Sequence, residues 1–476
     1  MEQITIDDKR RTLIFVNLVV SGIATSVLAT AMTTALPNVV AYFGVSTAIG
    51  QWVTSGYSLA MGVVVPLTAF LITRFPTKRL YMVGIGCFLI GVLISIFSRN
   101  FGFMMLGRVL QACGNGVLMS AAQVIILTIY PAEKKGSMMG TYGLATTAAP
   151  IIAPTVAGLM IDAFGWKSIF YVVLVIMAIS FVLCSAVFEN VLEVQKKKFD
   201  VISFVESVFA FGGVTLGVGN LSSFGLVSVQ AGLPLAVGVA VCALFFIRQC
   251  GLEKPFLDVK ILRSWNYAVS VVSSMLLYLV MMGSSVMMPL YVQSVMGYSA
   301  VVSGLVTLPG SLATALVSPF AGRLYDRTGI KRIFVVGSAA LIISNLGMFF
   351  VGQNTPLLAA AGLNVIRNLS IGSLMMPLLT WGTSSVSPQK VADASSLLTS
   401  LRTVAGSIGS AVFVGIMTMV GDRSAAAYGD GALMHGMNVS FLWMAAGAAV
   451  LLLISVFMVK DGRGSKGGRG SKGAQR

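Results

Sequence analysis

The chain of 476 residues carries too few charges to cover the surface of a water-soluble protein. Hydrophobic residues make up 56% and charged residues 10%, whereas soluble domains carry about 25% charged residues. The mean hydropathy is +0.90. This composition excludes secreted disulfide scaffolds, disordered chains and ordinary cytosolic enzymes, and it indicates a membrane protein that crosses the bilayer many times.

Continuous apolar runs predict an all-α fold with 14 transmembrane helices. A spanning helix needs about 20 apolar residues, and strands of a membrane barrel would instead alternate polar and apolar residues. The predicted spans cover residues 12–36, 49–72, 80–98, 102–130, 138–161, 168–188, 201–221, 226–248, 266–293, 300–322, 333–351, 356–385, 396–420 and 438–459.

The positive charges predict the orientation of these spans. The chain has 32 Lys and Arg residues and a net charge of +16. With the N-terminus inside, 26 of them fall in inner segments, three in outer loops and three within spans. An excess of Lys and Arg marks cytoplasmic loops, so we expect both termini in the cytoplasm and the protein in the cell membrane. The net charge then reflects topology and not nucleic-acid binding.

The two halves of the chain repeat one another. LITRFPTKRLYMVG begins at Leu71, and LYDRTGIKRIFVVG begins at Leu324, an offset of 253 residues that also pairs Gly44 with Gly297. Similar halves in the same orientation are the parallel repeat of secondary transporters. The predicted organisation is a cytoplasmic N-terminus (1–11), a six-helix bundle (12–188), a linker (189–200), a two-helix hairpin (201–248), a linker (249–265), a second six-helix bundle (266–459) and a basic disordered tail (460–476).

Four motifs resemble the major facilitator superfamily, and its fourteen-span drug:proton antiporter branch of the multidrug and lincomycin-resistance type in particular. They are QWVTSGYSLAMGVVVPLTAFLITRF, GRVLQACGNG, APIIAPTVAGLMIDAFGWKSIFYV and the FD pair at Phe199–Asp200. The resemblance covers residues 12–460. It implies the major facilitator fold, with two six-helix bundles and an inserted two-helix hairpin.

The chain departs from the pattern of this branch at several positions. The signature loop usually has an acidic residue and a Gly where this chain has Thr73 and Pro76, although the second copy keeps both as Asp326 and Gly329. Span one often carries an acid near Leu28, and here it carries no charge. These differences put the site of proton coupling in doubt.

The basic loops between spans two and three and between spans ten and eleven form the first candidate site. One interpretation is orientation by positive charge alone, because any inner loop would show it. The other is a gating latch, in which Asp326 pairs with a cation or a helix N-terminus in one conformation and releases it in another. The latch residues would be Arg74, Lys78, Arg79, Asp326, Arg327, Lys331 and Arg332.

Span four supplies the second candidate site, a polar face that we expect to line a central cavity. Arg108, Gln111 and Asn115 are three and four residues apart and therefore share one helix face. The alternative is an Arg108 side chain that extends to the lipid headgroups. The resemblance implies a role in proton coupling or substrate contact. Span twelve carries the matching pair Asn364 and Arg367.

Span five contains a third candidate, the antiporter motif with Pro150, Pro154 and Gly158. Proline breaks backbone hydrogen bonds and glycine permits close helix contact. This pattern is consistent with a kinked packing helix, and the resemblance implies a bend that closes the outer side.

Glu206 is the one acidic residue placed clearly inside a span, and desolvation there would suit a proton carrier. The alternative is that its side chain reaches the cytoplasmic surface.

These features predict a secondary active exporter of amphiphilic small molecules, driven by proton antiport and alternating access. The alternatives are a facilitator or lipid flippase without strict proton coupling, and a membrane sensor that keeps the fold. The sequence shows no nucleotide-binding loop, metal cluster or catalytic triad, and His435 is placed in the last outer loop. We therefore expect no enzyme activity, metal or cofactor apart from the proton gradient. The expected partners are a small amphiphilic substrate and membrane lipid, with the protein acting as a monomer.

Overall fold

The computed structural model describes residues 7–130, 132–191, 200–224, 227–252, 255, 258–387 and 390–459. Within these ranges the chain forms α-helices and no strands. In chain order they are α1 (Asp8–Thr34), α2 (Leu36–Phe43), α3 (Thr47–Gly50), α4 (Trp52–Arg74), α5 (Thr77–Phe97), α6 (Phe101–Ile129), α7 (Ala132–Phe164), α8 (Ser168–Val187), α9 (Val201–Phe224), α10 (Val229–Gly251), α11 (Trp265–Leu290), α12 (Ala300–Thr328), α13 (Ile330–Phe349), α14 (Leu357–Ser384), α15 (Val391–Tyr428) and α16 (Ala432–Leu453).

The helices follow the apolar runs. In the described part of the chain, eleven helical segments are long and apolar enough to cross a membrane. Each predicted span overlaps one of the long helices, because a backbone in lipid must satisfy its hydrogen bonds within its own segment. The all-helical, multi-pass prediction is therefore confirmed, with about 11 to 14 apolar helices.

The helices do not end where the predicted spans end, because helical structure is not limited to the apolar stretches. Helix α1 begins at Asp8, inside the predicted N-terminal segment 1–11, and it stops at Thr34. Pro37, near the start of α2, lacks the N–H that would continue α1. Helix α15 continues to Tyr428 and α16 begins at Ala432, so the predicted outer loop shrinks to a single short turn. His435 therefore lies in the first turn of α16 and not in a loop.

Glycines let neighbouring helices approach closely, which is the usual packing solution between apolar helices. A Cβ atom on Gly91 of α5 would lie 2.6 Å from the carbonyl oxygen of Gly107 in α6, and one on Gly114 would lie 2.6 Å from that of Gly84. In the second half, a Cβ on Gly337 of α13 would lie 2.7 Å from the Leu374 side chain of α14. Glycine thus allows close helix packing in both halves, against backbone atoms between α5 and α6 and against a leucine side chain between α13 and α14.

The repeat also extends to the loops. Gly44 and Gly297, which are 253 residues apart, have φ angles of 63° and 70°. Both take the left-handed conformation that glycine adopts without a steric penalty. Equivalent turns therefore end α2 and the helical segment that follows α11.

The buried apolar side chains form three clusters. One joins α1 and α4–α8, a second joins α11–α14 with α15 and α16, and a third joins α9 and α10 to α4, α11 and α15. Leu36 of α2 belongs to the second cluster, and Ala300 of α12 belongs to the first. Helices α9 and α10 pack on each other, and α9 also lies against α4 and α15.

Candidate functional site

Arg108 of α6 is fully buried and anchored to α4. Its Nε atom donates to the carbonyl oxygen of Val53 at 3.0 Å, and its Nη1 atom donates to Gln111 Oε1 at 2.8 Å. Its guanidinium carbon lies 4.2 Å from the centre of the Tyr57 ring, a cation–π contact. Because the side chain is completely enclosed, the structure does not support the alternative in which Arg108 extends to the lipid headgroups.

Gln111 and Asn115 extend this network along α6. The Gln111 amide donates to the carbonyl oxygen of Gly91 at 3.0 Å and to Ser95 Oγ at 2.9 Å, which the close packing of α5 on α6 makes possible. The Asn115 amide donates to the Tyr57 hydroxyl at 2.7 Å. The three residues therefore share one polar network, as their spacing predicted, and it lies against α4 and α5.

This network contains a cation without a counter-ion. In the described residues no carboxylate lies within 4 Å of Arg108, and its Nη2 atom has no hydrogen-bond partner. A buried charge is costly unless it is paired. The site therefore retains an unused donor suited to an anionic or polar group.

Arg367 occupies a similar setting in α14. It is buried, its Nη2 atom donates to Asn364 Oδ1, and its guanidinium carbon lies 5.7 Å from the centre of the Phe441 ring. Its Nη1 atom likewise has no partner among the described residues. Asn368 donates to Asn364 at 3.0 Å. Each half of the protein thus encloses one arginine that is held by an amide and covered by a ring.

Helix α7 meets α12 along a seam built from backbone atoms, which we call the α7–α12 seam. A Cβ on Gly158 would lie 2.5 Å from the Ala300 carbonyl oxygen, and one on Gly304 would lie 2.6 Å from the Pro154 carbonyl oxygen. The Thr155 hydroxyl donates to the Gly304 carbonyl at 3.3 Å. Helix α7 runs through both Pro150 and Pro154. Two of the three predicted motif residues, Pro154 and Gly158, thus lie directly at the contact.

Asp162 is a residue of this seam that the sequence analysis missed. Its Oδ2 atom accepts a hydrogen bond at 3.1 Å from the backbone N–H of Val301, in the first turn of α12. A carboxylate at a helix N-terminus is favoured by the helix dipole. The available signal was its spacing, because Asp162 is four residues after Gly158 and so lies on the same face of α7.

A second contact joins the halves at the same end of the molecule. The Gln293 side chain, just after α11, donates to the carbonyl oxygen of Thr34, the last residue of α1, at 3.0 Å. Contacts between the two halves therefore join four helix ends at this side of the molecule. They are the C-terminal ends of α1, α7 and α11 and the N-terminal end of α12.

The predicted latch residues lie around the turn between α4 and α5 and around the turn between α12 and α13, at the other end of α12 from the seam. Arg74 and Arg79 are exposed around the turn between α4 and α5, and Lys78 donates to the Ser185 carbonyl oxygen at the end of α8, at 2.7 Å. In the second copy, Arg327 and Arg332 are exposed and Lys331 is half-buried. The Asp326 side chain lies outside the described residues. Among the side chains that are described, no hydrogen bond or ion pair joins the two loops.

Glu206 belongs to a polar cluster that fastens α9 to α10. Its Oε2 atom lies 3.8 Å from Arg248 Nε, and Arg248 Nη2 lies 3.1 Å from Asp200 Oδ1. Ser203 donates to Asp200 Oδ2 at 2.6 Å and accepts from Gln249 at 2.7 Å. Burial acts to raise the pKa of Asp200, but hydrogen bonds from Ser203 and the charge of Arg248 outweigh it and hold the pKa below its ordinary value. Asp200 is thus a fixed negative charge.

Two further points concern metal binding and His435. In the described ranges, no three His, Cys, Asp or Glu side chains lie close enough to hold a metal ion. The His435 ring is stacked on Tyr428, with ring centres 4.3 Å apart. This contact joins the end of α15 to the start of α16.

Comparisons with known proteins agree on the family of this chain. The family model described as Major Facilitator Superfamily matches residues 14–410. The uncharacterized MFS-type transporter YcnB of Bacillus subtilis (strain 168) is 32% identical, over 94% of this chain and 96% of that protein. The lincomycin resistance protein LmrB of Listeria monocytogenes serovar 1/2a is 30% identical, over 90% and 93%.

Solved structures show the same fold. A bacterial homologue of the human lysosomal transporter Spinster, in an inward-facing and unoccupied conformation, matches with a TM-score of 0.71 and 13% identity over 95% of this chain and 97% of that one. A peptide transporter POT in complex with sulfate matches with a TM-score of 0.70 and 15% identity, over 94% of each chain.

These findings define the protein as a multi-pass membrane transporter and not an enzyme. The chain belongs to the major facilitator superfamily. The resemblance drawn from its sequence motifs is thereby confirmed at the level of the family.

Proposed function

We propose that the protein is a secondary active exporter of amphiphilic small molecules, driven by proton antiport. The observation that carries this proposal is the α7–α12 seam, which joins the two halves through backbone contacts at Gly158 and Gly304. A joint made of backbone contacts would let the two halves separate as rigid bodies, which is the motion of alternating access. Relatives named as lincomycin and multidrug resistance proteins support a drug-like substrate.

The two halves would act as the moving parts. We propose six-helix bundles at residues 12–188 and 266–459, with α9 and α10 as an inserted hairpin, giving 14 spans in all. The packing of α9 and α10 on each other supports this division. The linkers 189–200 and 249–265 and the tail 460–476 would lie outside the membrane. The protein would work as a monomer and without a bound cofactor.

Arg108 is the residue to which we assign coupling. In a conformation that opens the contacts with α4 and α5, its Nη2 atom, which has no hydrogen-bond partner here, would hold an anionic or polar group of the substrate or lower the proton affinity of a group that binds nearby. Glu206 is a weaker candidate for the proton carrier, because Arg248 already faces its carboxylate. Arg367 and Asn364 would provide the corresponding polar group in the second bundle.

The orientation that we propose places both termini in the cytoplasm of a cell-membrane protein. Membrane-impermeant labelling of single cysteines tests it directly. Cysteines at outer positions should react from outside, and cysteines at inner positions should not. The outer positions are Ser46, Gly352 and Gly431, and the inner ones are Lys196 and Ser465. External labelling at Lys196 would refute the topology.

Transport in proteoliposomes tests the function. The purified protein is reconstituted with an imposed pH gradient, and movement of lincomycin and of an amphiphilic dye such as ethidium is followed with and without the gradient. Antiport predicts accumulation against the substrate gradient only when protons flow the other way. Equal uptake by protein-free vesicles would refute export of these compounds.

One observation favours a second candidate, a facilitator or lipid flippase of the same fold. The one acid predicted inside a span, Glu206, faces the guanidinium group of Arg248 at 3.8 Å. This alternative predicts substrate equilibration that does not depend on the pH gradient. The same vesicles therefore separate the two candidates.

A further inference from the structure

A groove separates the first turns of α5 from the last turns of α8. It has a volume of about 610 Å³, and its walls include Lys78, Arg79, Met82, Val83, Gly86 and Phe181. Val83 is 55% exposed, and on the same two helices Ile90 and Val182 are 54% and 66% exposed. Exposed apolar side chains along two spanning helices face the lipid, so the groove opens towards the membrane.

One end of this groove is cationic. Lys78 uses one of its ammonium hydrogens on the Ser185 carbonyl oxygen at 2.7 Å, which leaves two donors. Arg79, one residue on, is exposed. Among the described residues, no carboxylate lies within 4 Å of either cation. The groove thus combines two positive charges at one end with an apolar channel that leads away from them.

We propose that this groove binds an anionic phospholipid. The phosphate lies against Lys78 and Arg79, and an acyl chain runs along Met82, Gly86 and Phe181. A free phosphate would use the cations and leave the apolar walls exposed, whereas a lipid fills both parts of the groove. In the orientation proposed above, this end faces the cytoplasmic leaflet, which carries the anionic lipids. The inference goes beyond transport, because it concerns a lipid that stays bound to the lipid-facing surface of the transporter and is not its substrate.

The chain offers a substitution that blocks the channel without touching the cations. A Cβ on Gly86 would meet nothing within 4 Å, so Gly86→Leu fits the fold and places its side chain in the space of the acyl chain. A Cβ on Gly362 of α14 likewise meets nothing within 4 Å, and Gly362→Leu is the matched control. A second variant, Lys78→Gln with Arg79→Gln, removes the charge and keeps the channel.

Native mass spectrometry of the purified protein, titrated with phosphatidylglycerol, measures the bound lipid. We expect wild type and Gly362→Leu to retain one lipid under conditions where Gly86→Leu loses it. Removal of a cation near an anionic lipid should weaken binding about fivefold, so the double variant should bind roughly 25-fold more weakly. Equal lipid retention by Gly86→Leu, the double variant and wild type would overturn the proposal.

Two further titrations identify the ligand. Phosphatidylethanolamine should bind more weakly than phosphatidylglycerol, and equal binding would refute the preference for an anion. Glycerol 3-phosphate supplies the headgroup chemistry without acyl chains. If it bound as tightly as the lipid, and Gly86→Leu left that binding unchanged, the groove would be a phosphate site and the lipid proposal would be wrong.

Discussion

Replacing Gly158 by Ala should hold the α7–α12 seam open. The added Cβ would lie 2.5 Å from the Ala300 carbonyl oxygen and 2.9 Å from Val301 Cα, whereas ordinary contacts begin at 3.4 Å. Both of these atoms belong to the backbone, so no rotamer change relieves the overlap, and the helices must separate by roughly 1 Å. Overpacking of this kind costs about 1–3 kcal/mol.

That cost acts only on the closed seam and therefore shifts the conformational equilibrium. A free energy of about 1–3 kcal/mol corresponds to a change of about 5- to 150-fold in the ratio of closed to open states. The separation also lengthens the hydrogen bond between Asp162 and Val301, now 3.1 Å. Export should fall, because a transporter that rarely closes this end completes few cycles.

Double electron–electron resonance, which measures the distance between two spin labels, reports the change in the ratio of closed to open states. Phe164 at the end of α7 and Tyr298 before α12 are 80% and 46% exposed and accept labels. In Gly158→Ala the distance distribution should move to longer values. Gly362→Ala controls for the general gain in helix propensity, because its Cβ meets nothing within 4 Å. If Gly158→Ala showed the wild-type distribution and the wild-type export rate, the seam would not be the gate.

The remaining predictions concern single charges at the two ends and in the core. Asp162→Asn should weaken the closed seam about two- to fivefold, since it removes a charge from a helix N-terminus, and Asp162→Ala should weaken it further; an unchanged label distance in both would contradict this. Arg108→Ala should abolish export driven by a pH gradient at matched expression, while Glu206→Gln should retain at least part of it; the reverse result would move coupling to the hairpin. Asp326→Asn should lower turnover more than substrate affinity, and unchanged turnover would leave Asp326 as a marker of topology only.

The order of the helices was predictable, because lipid imposes a simple rule on the sequence. Each spanning segment must be helical and apolar along its whole length, so apolar runs mark helices directly. The ends were less predictable, since a helix continues into water wherever its residues tolerate it. Helix α1 therefore starts at Asp8, and α15 reaches Tyr428.

The site was predictable only where its contacts are local. Spacing placed Arg108, Gln111 and Asn115 on one face of α6, because helix geometry alone decides that. Spacing does not tell which helix that face meets, and the face expected to line a cavity is enclosed by α4 and α5. Asp162 was missed because its partner is a main-chain N–H 139 residues further along the chain, which no side-chain pattern reveals.

The two enclosed arginines have a consequence for how the membrane potential acts on the protein. Within the described residues, neither Arg108 nor Arg367 has a carboxylate within 4 Å, so no neighbouring negative charge offsets either guanidinium. One elementary charge moved across the whole membrane gains or loses about 2.3 kcal/mol per 100 mV. A rocking step that carried each arginine through about a tenth of the field would therefore couple the conformational equilibrium to voltage by about 0.5 kcal/mol per 100 mV. Such a displacement would make the conformational equilibrium depend on the membrane potential, whatever the charge of the cargo.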